Sequence, residues 1–410
     1  MPVNFWQHRH LGKATYYDPG LMTHRSQRVY VHIGLPKTGT TSLQALLWHH
    51  REALAADGVL YPGADDTAQH KAAIDVHPQR FPQWNEPGVK GSWDWLVEQV
   101  RAWQGTSLIS SELLAPASPE EARRVLSALS FAEIHVVCTV RDFARQVPSV
   151  WQENIKTRDS TTLEEFLAHL RGGELTDVST PFWDFQDLPR VLRTWGGSLP
   201  PERVHVVTVP PKGAPSELLW QRFATVLGVD AGKYTTDVPQ ENFSLGLAET
   251  ELLRRVNVAL GPDMPWPRYA GVVKDTLAAK VLAELDGSTR IALPPGDHGW
   301  VADTARRFVD AVAEAGYHVV GDVDDLIPAL RAEGTGTAVD MPDDAVLLET
   351  AVAAIARLIH RVPSPPPPGA GQRGVHRIKG RLRDLSEQHP QAMRARRFYW
   401  RAKARLRSSP

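Results

Sequence analysis

The chain has 410 residues, enough for one large domain with appendages or for two or three units. Its 42% hydrophobic, 23% charged and 8% aromatic residues exclude a wholly disordered or collagen-like chain, and its one cysteine excludes an intrachain disulfide framework and a multi-cysteine zinc site. The formal net charge of −1 hides an asymmetry: residues 369–410 hold 12 Lys and Arg against 2 Asp and Glu, so that stretch carries +10 and residues 1–368 carry −11.

Residues 1–27 read as a polar, turn-prone leader. Next comes Val29-Tyr-Val-His-Ile33, a β-branched and aromatic run that reads as a strand and passes directly into Gly34-Leu-Pro-Lys-Thr-Gly-Thr-Thr41. Leu43, Leu46, Leu47 and Leu54 then recur at helical spacing, with Gly58 as a stop signal. Apolar runs at 107–110, 134–140 and 204–209 alternate with helical patterns at 120–129, 144–156 and 216–227. This alternation predicts an α/β fold, a mainly parallel sheet flanked by helices. Residues 62–105, with His70, His77, Trp84, Trp93, Trp95 and Trp103, are too many for a plain connection and predict a helical insertion that shapes an acceptor pocket. From Asn242 onward the pattern is largely helical, at 247–260, 269–285, 300–315 and 345–359. The expected organisation is a leader (1–27), a catalytic domain (28–330), a helical segment (331–362), a Pro/Gly linker (363–372) and a basic tail (373–410).

The Gly/Pro/Thr loop carries the chemistry. A glycine-rich turn between a strand and a helix N-terminus gathers backbone N–H groups into a concavity that suits a phosphate. Gly34 and Gly39 have the spacing of a nucleoside-triphosphate loop, but Thr40-Thr41 stand where such a loop has Lys-Ser/Thr. Lys37, after Pro36, approaches the anion from another side, and Thr40, Thr41 and Ser42 offer hydroxyls. The plainer alternative is a turn that only connects strand and helix.

The string VHIGLPKTGTTSLQ resembles the 5′-phosphosulfate loop of sulfotransferases that use 3′-phosphoadenosine 5′-phosphosulfate (PAPS). Arg141 and Ser149, in Val136-Val-Cys-Thr-Val-Arg141 through Ser149-Val-Trp151, match the spacing of that family's 3′-phosphate element. The resemblance implies a P-loop NTPase-like fold, and it implies donor binding by Pro36, Lys37, Thr38, Gly39, Thr40, Thr41, Ser42, Arg141 and Ser149. It covers residues 28–230 and fades by about 330. An arginine at a strand's carboxyl end can grip a phosphate through two parallel hydrogen bonds; pairing with Asp142 is the plain alternative, and Arg145 is a reserve candidate. Cys138, mid-strand, reads as packing.

Sulfuryl transfer to a hydroxyl, or less readily an amine, also needs a proton acceptor. Glu112, at the end of the 107–111 run, is the first candidate and His70 the second. Lys37 is the expected catalytic cation, and PAPS the co-substrate, with no metal. Asn242-Phe-Ser244 resembles an Asn-x-Ser element of bacterial members but reads equally as a helix cap. Trp266, Arg268, Tyr269 and Lys274 receive no binding role, because the usual Arg-Lys-Gly signature is absent. The acceptor class stays open among small molecules, glycans and lipids, and so does the oligomeric state; nucleic acid is not an expected partner. The rival readings are a P-loop nucleotide or small-molecule kinase and a catalytically silent nucleotide-binding scaffold.

In the tail, Val375, Ile378, Leu382 and Leu385 fall at helical spacing among Arg377, Lys379, Arg381 and Arg383, a pattern that suits an anionic membrane surface or a helix docked on the acidic body. No signal-peptide core or membrane-span-length apolar run occurs, so the expected location is the cytoplasm, with peripheral contact at the inner membrane.

Overall fold

A computed structural model describes residues 27–82, 87–238, 243–287, 289–328 and 341–361. The leader up to residue 26, Trp84, Asn242, residues 331–340, the linker and the basic tail lie outside the described residues. Two units divide the chain, Met1–Ala354 and Ile355–Pro410, and the sheet with its flanking helices belongs to the first.

Six strands form one all-parallel sheet in the order β2-β3-β1-β4-β5-β6. They are β1 (Arg28–His32), β2 (Val59–Leu60), β3 (Thr106–Ser110), β4 (Glu133–Val140), β5 (Val204–Thr208) and β6 (His318–Val320). The four runs read from the sequence are β1, β3, β4 and β5. The edge strands β2 and β6 are too short to leave a periodic trace. Val31 of β1 faces Ile109 of β3 and Val136 of β4, and all three are buried, as expected for strands covered on both faces.

Register and direction together decide where the loops emerge. His32 stands opposite Ser110 and Val137, so β1 and β3 end level, and the segments that follow β1, β3 and β4 all leave at the carboxyl edge. That edge is where open α/β sheets hold ligands.

Helix Thr40–His49 follows the loop and buries Leu43, Leu46 and Leu47 in a cluster with Tyr30, Val207 and the Trp220, Phe223 and Leu227 side chains of helix Leu218–Leu227. Helix Phe143–Lys156 follows β4. It starts at an Asp142 cap, whose carboxylate accepts from the Arg145 backbone N–H at 2.9 Å, and it buries Val147, Trp151 and Ile155. The 62–105 segment contains helices Ala68–Val76 and Ser92–Ala102, the second burying Trp93, Leu96, Val97 and Val100.

Three helices beyond the sequence reading follow, Leu163–Arg171, Ser179–Gln186 and Leu188–Gly196. The first carries a full capping box between Thr162 and Glu165, a signal present in the sequence. Farther on, the helix expected over 269–285 is wound as a π-helix across Ala270–Val281, and the Thr276 hydroxyl bonds the Gly271 carbonyl at 2.7 Å. Among the described residues no helix is long and apolar enough to cross a membrane.

Candidate functional site

The loop after β1 is tied into the sheet before it turns. Ile33 and Leu35 donate backbone N–H bonds to the Val137 and Thr139 carbonyls at 2.9 Å each. Gly34, Lys37 and Gly39 then adopt φ of 98°, 67° and 89°. A Cβ at Gly34 would stand 2.9 Å from the Glu112 Cβ and 3.0 Å from its Cα, so glycine is required there by conformation and by space; at Gly39 the Cβ would meet only the movable Leu219 Cδ2, and conformation alone asks for glycine. Lys37 enters the same left-handed region with a side chain, at a typical cost of ~1–2 kcal/mol.

From behind, the loop is held by polar groups. Gln146 Nε2 donates to the Pro36 carbonyl, and Gln186 Nε2 reaches the same oxygen at 3.4 Å. Thr38 is buried, and its hydroxyl donates to the Leu35 carbonyl at 2.5 Å and lies 2.6 Å from the Thr139 hydroxyl. This threonine builds the loop rather than facing outward. Helix Thr40–His49 has Gly39 at its N-cap, no side-chain cap and no acidic residue in its first turn. Thr40 is buried, Thr41 exposed and Ser42 half-buried.

Arg141 leaves the end of β4 half-buried. Its Nη1 donates to the Lys37 carbonyl at 3.3 Å and to the Ser149 hydroxyl at 3.2 Å, so one guanidinium nitrogen joins the two motifs named from the sequence. Burial lowers its pKa to about 10, helped by nearby Arg145 and Arg290 and opposed by Asp142; it remains a cation at neutral pH. Among the described residues no carboxylate forms an ion pair with it, and its Nε is buried without a partner. The reserve candidate Arg145 is differently placed, since its Nε is bonded to Asp142 and its Nη2 donates to the Pro210 carbonyl at 3.1 Å.

The Lys37 ammonium meets Glu153, one turn beyond Ser149, at 3.1 Å. Lys274 reaches the other carboxylate oxygen at 3.3 Å, and Lys156 stands 3.6 Å from the first. Burial alone would raise the Glu153 pKa, but Lys37, Lys156 and Lys274 hold it at about 2. Burial pushes Lys156 down to about 8, against the pull of Glu153. Lys156 also donates to the Phe243 carbonyl at 2.9 Å.

Glu112 lies half-buried just past β3, against Gly34. Gln44 Nε2 donates to its carboxylate at 3.0 Å and lies 3.3 Å from the Ser110 hydroxyl. From Ser110 the polar chain continues through His32, with Nδ1 2.8 Å from the Ser110 hydroxyl and Nε2 3.2 Å from that of Thr139. Burial drives the His32 pKa down to about 3, so the ring is neutral. Tyr61 is pushed up by burial and by the Glu112 charge, so it stays a phenol. His70 is elsewhere. Helix Ala68–Val76 turns Gln69 inward, where its Oε1 accepts from the Ser110 N–H at 2.5 Å, and leaves His70 outward and exposed.

The structure thus brings Lys37, Arg141, Ser149 and Glu112 to one edge with loop residues 34–42. It adds Glu153, Lys156, Gln44 and His32, and it gives Lys274 a partner. The helical spacing of Ser149, Glu153 and Lys156 was a signal within the sequence; the return of Lys274 was not. Ser244 docks on the same helix through the Gln152 side chain at 3.3 Å. Cys138 is buried, which raises its thiol pKa. A cleft of 630 Å³ lined by Arg80, Asp184 and Arg190 contains none of these residues. Among the described residues no cluster of three or more His, Cys, Asp or Glu is placed to hold a metal ion. No family model, curated protein or solved structure matches this chain.

Proposed function

We propose that the chain is a P-loop-type sulfotransferase that moves a sulfuryl group from PAPS to a hydroxyl of a small molecule, glycan or lipid. The observation that carries this reading is the Arg141 guanidinium, which bridges the Lys37 carbonyl and the Ser149 hydroxyl while unpaired with any carboxylate among the described residues. A half-buried cation without an ion-pair partner among the described residues is costly, and an anionic ligand supplies the missing charge. Two anion seats so close together suit a nucleotide phosphorylated at both the 3′ and 5′ positions.

In this assignment Arg141 and Ser149 take the 3′-phosphate. The loop from Pro36 to Ser42 takes the 5′ end, with backbone N–H groups and the helix terminus facing the anion. The acceptor oxygen attacks sulfur in line, the bond from sulfur to the bridging phosphate oxygen breaks, and adenosine 3′,5′-bisphosphate leaves with the bond's electron pair. Lys37 stabilises the negative charge that grows on the bridging oxygen. Glu112 accepts the proton of the attacking hydroxyl, held by Gln44 at the level of the loop.

The test is calorimetry with adenosine 3′,5′-bisphosphate, adenosine 5′-monophosphate and ATP–Mg, paired with a PAPS turnover assay over an acceptor panel. The bisphosphate should bind at least about tenfold more tightly than the monophosphate in wild type, and the preference should vanish in Arg141→Ala. Equal binding of the two by wild type, or preference for ATP–Mg, overturns the reading.

A further inference from the structure

Three ammonium groups from three elements converge on one carboxylate. Lys37 comes from the loop, Lys156 from the last turn of helix Phe143–Lys156, and Lys274 from the π-helix; their Nζ atoms lie 3.1, 3.6 and 3.3 Å from Glu153 oxygens. A structural ion pair requires one cation. Lys156 alone would suffice, being 3% exposed and already bonded to the Phe243 carbonyl. With Glu153 in place, the three ammoniums leave two positive charges in excess, the charge of a phosphate dianion.

The neighbouring seat is built differently. Among the described residues no carboxylate pairs with Arg141 or Ser149, yet Ser149, which holds the Arg141 guanidinium, lies only one helical turn, ~6 Å, from Glu153 along the same helix. Among the described residues, one seat has no protein anion and the other is filled by one. We propose that the Glu153 carboxylate is an internal stand-in for the 5′ anion of the nucleotide: it holds Lys37 in the free protein, and the incoming anion displaces it from Lys37 while Lys156 and Lys274 retain it. The inference rests on the proposed donor assignment. It adds that Glu153 weakens donor capture by competing for Lys37, and that Lys37 reaches the donor only by letting go of Glu153. The low pKa of Glu153 agrees, since the group stays ionised and competes across the neutral range.

The experiment is titration of the full chain with adenosine 3′,5′-bisphosphate, using wild type, Glu153→Gln, Lys37→Ala and the double variant. Glu153→Gln should bind about fivefold more tightly than wild type, the scale of a partly exposed ion pair. In the Lys37→Ala background the same substitution should change nothing, because the lysine that profits is gone. Glu153→Asp keeps the negative charge on the helix but shortens the side chain, which should lengthen its contact with Lys37. It should show a smaller gain in the same direction, and it serves as the readout if the glutamine variant does not fold. Unchanged or weaker binding in these variants, or an equal gain without Lys37, overturns the inference. If wild type binds and Arg141→Ala weakens it while Glu153→Gln changes nothing, the stand-in falls and the donor assignment remains. If wild type binds no nucleotide, both fall.

Discussion

The two ends of the sheet manage charge to different degrees. At the amino end, Glu133 accepts from Arg28 at 2.8 Å and from Arg203 at 3.3 Å, and it lies 2.9 Å from His135 Nε2. A chain of rings continues across the strands, with His135 Nδ1 2.8 Å from His205 Nε2 and His205 Nδ1 2.8 Å from His318 Nδ1. With His135 Nε2, His205 Nε2 and His318 Nδ1 each donating toward Glu133, every contact of this chain is satisfied internally. At the carboxyl end the excess of cations is larger: among the described residues no carboxylate forms an ion pair with Arg141, and Glu153 serves three lysines where Glu133 serves two arginines. The comparison teaches that charge alone does not mark a site; unbalanced charge beside a glycine-rich loop does.

If this division is real, activity should respond to the carboxyl end and stability to the amino end. The largest effect is expected from Glu112→Gln, which keeps shape and donor affinity but removes the proton acceptor, lowering kcat by ~10²–10⁴-fold in a PAPS turnover assay. Near-normal turnover in that variant together with its loss in His70→Ala would move the base to the exposed histidine. Lys37→Ala should lower kcat by ~10²–10³-fold, the usual scale for losing one preorganised donor to the developing charge. A change confined to KM would remove Lys37 from the transition state.

Acid should probe the buried rings. A histidine in the unfolded chain takes up a proton near its ordinary pKa of 6.5, whereas burial holds His32 and His205 near 3 in the fold, His205 with added repulsion from His135, His318 and Arg28. The unfolded chain therefore binds the proton first. Stability is whole above about 6.5 and falls as pH drops toward 3, by up to ~1.4 kcal/mol per pH unit for each ring. Urea unfolding between neutral pH and about pH 5 measures the slope. His205→Gln should flatten it and leave kcat within about twofold, since the ring lies at the other end of the sheet; an unchanged slope would mean that the ring is not protected.

How much of this was legible in the sequence differs by element. Strands β1, β3, β4 and β5 were readable because their interiors are buried and rich in apolar and β-branched residues, whereas β2 and β6 owe their existence to a neighbour's edge. The loop and the Arg141–Ser149 pair were readable because each is local: a fixed spacing within one strand, turn and helix. Glu153 shares that helix, but its importance depends on Lys274, more than a hundred residues later, and no pattern in either segment announces the meeting. His32 was hidden for another reason. It sits within a strand run, and only the sheet register shows that Ser110 and Thr139 lie on either side of it. The π-winding at 270–281 was hidden too, since a period of helical apolar residues does not distinguish it from an α-helix.

The smallest expected effect is on the tail. Removing residues 369–410 should leave turnover of a soluble acceptor within about twofold and abolish binding to anionic vesicles, which should weaken as salt rises over a Debye length of ~8–10 Å. Full-length protein that ignores such vesicles at low salt would contradict the membrane expectation.

The most direct measurement is a crystal structure of the chain with adenosine 3′,5′-bisphosphate. The account predicts the 3′-phosphate on the Arg141 guanidinium and the Ser149 hydroxyl, with the 5′-phosphate against the 36–42 loop and within hydrogen-bond distance of a Lys37 ammonium that has left Glu153. A nucleotide seated away from this edge, or one whose 3′-phosphate touches neither Arg141 nor Ser149, would contradict it.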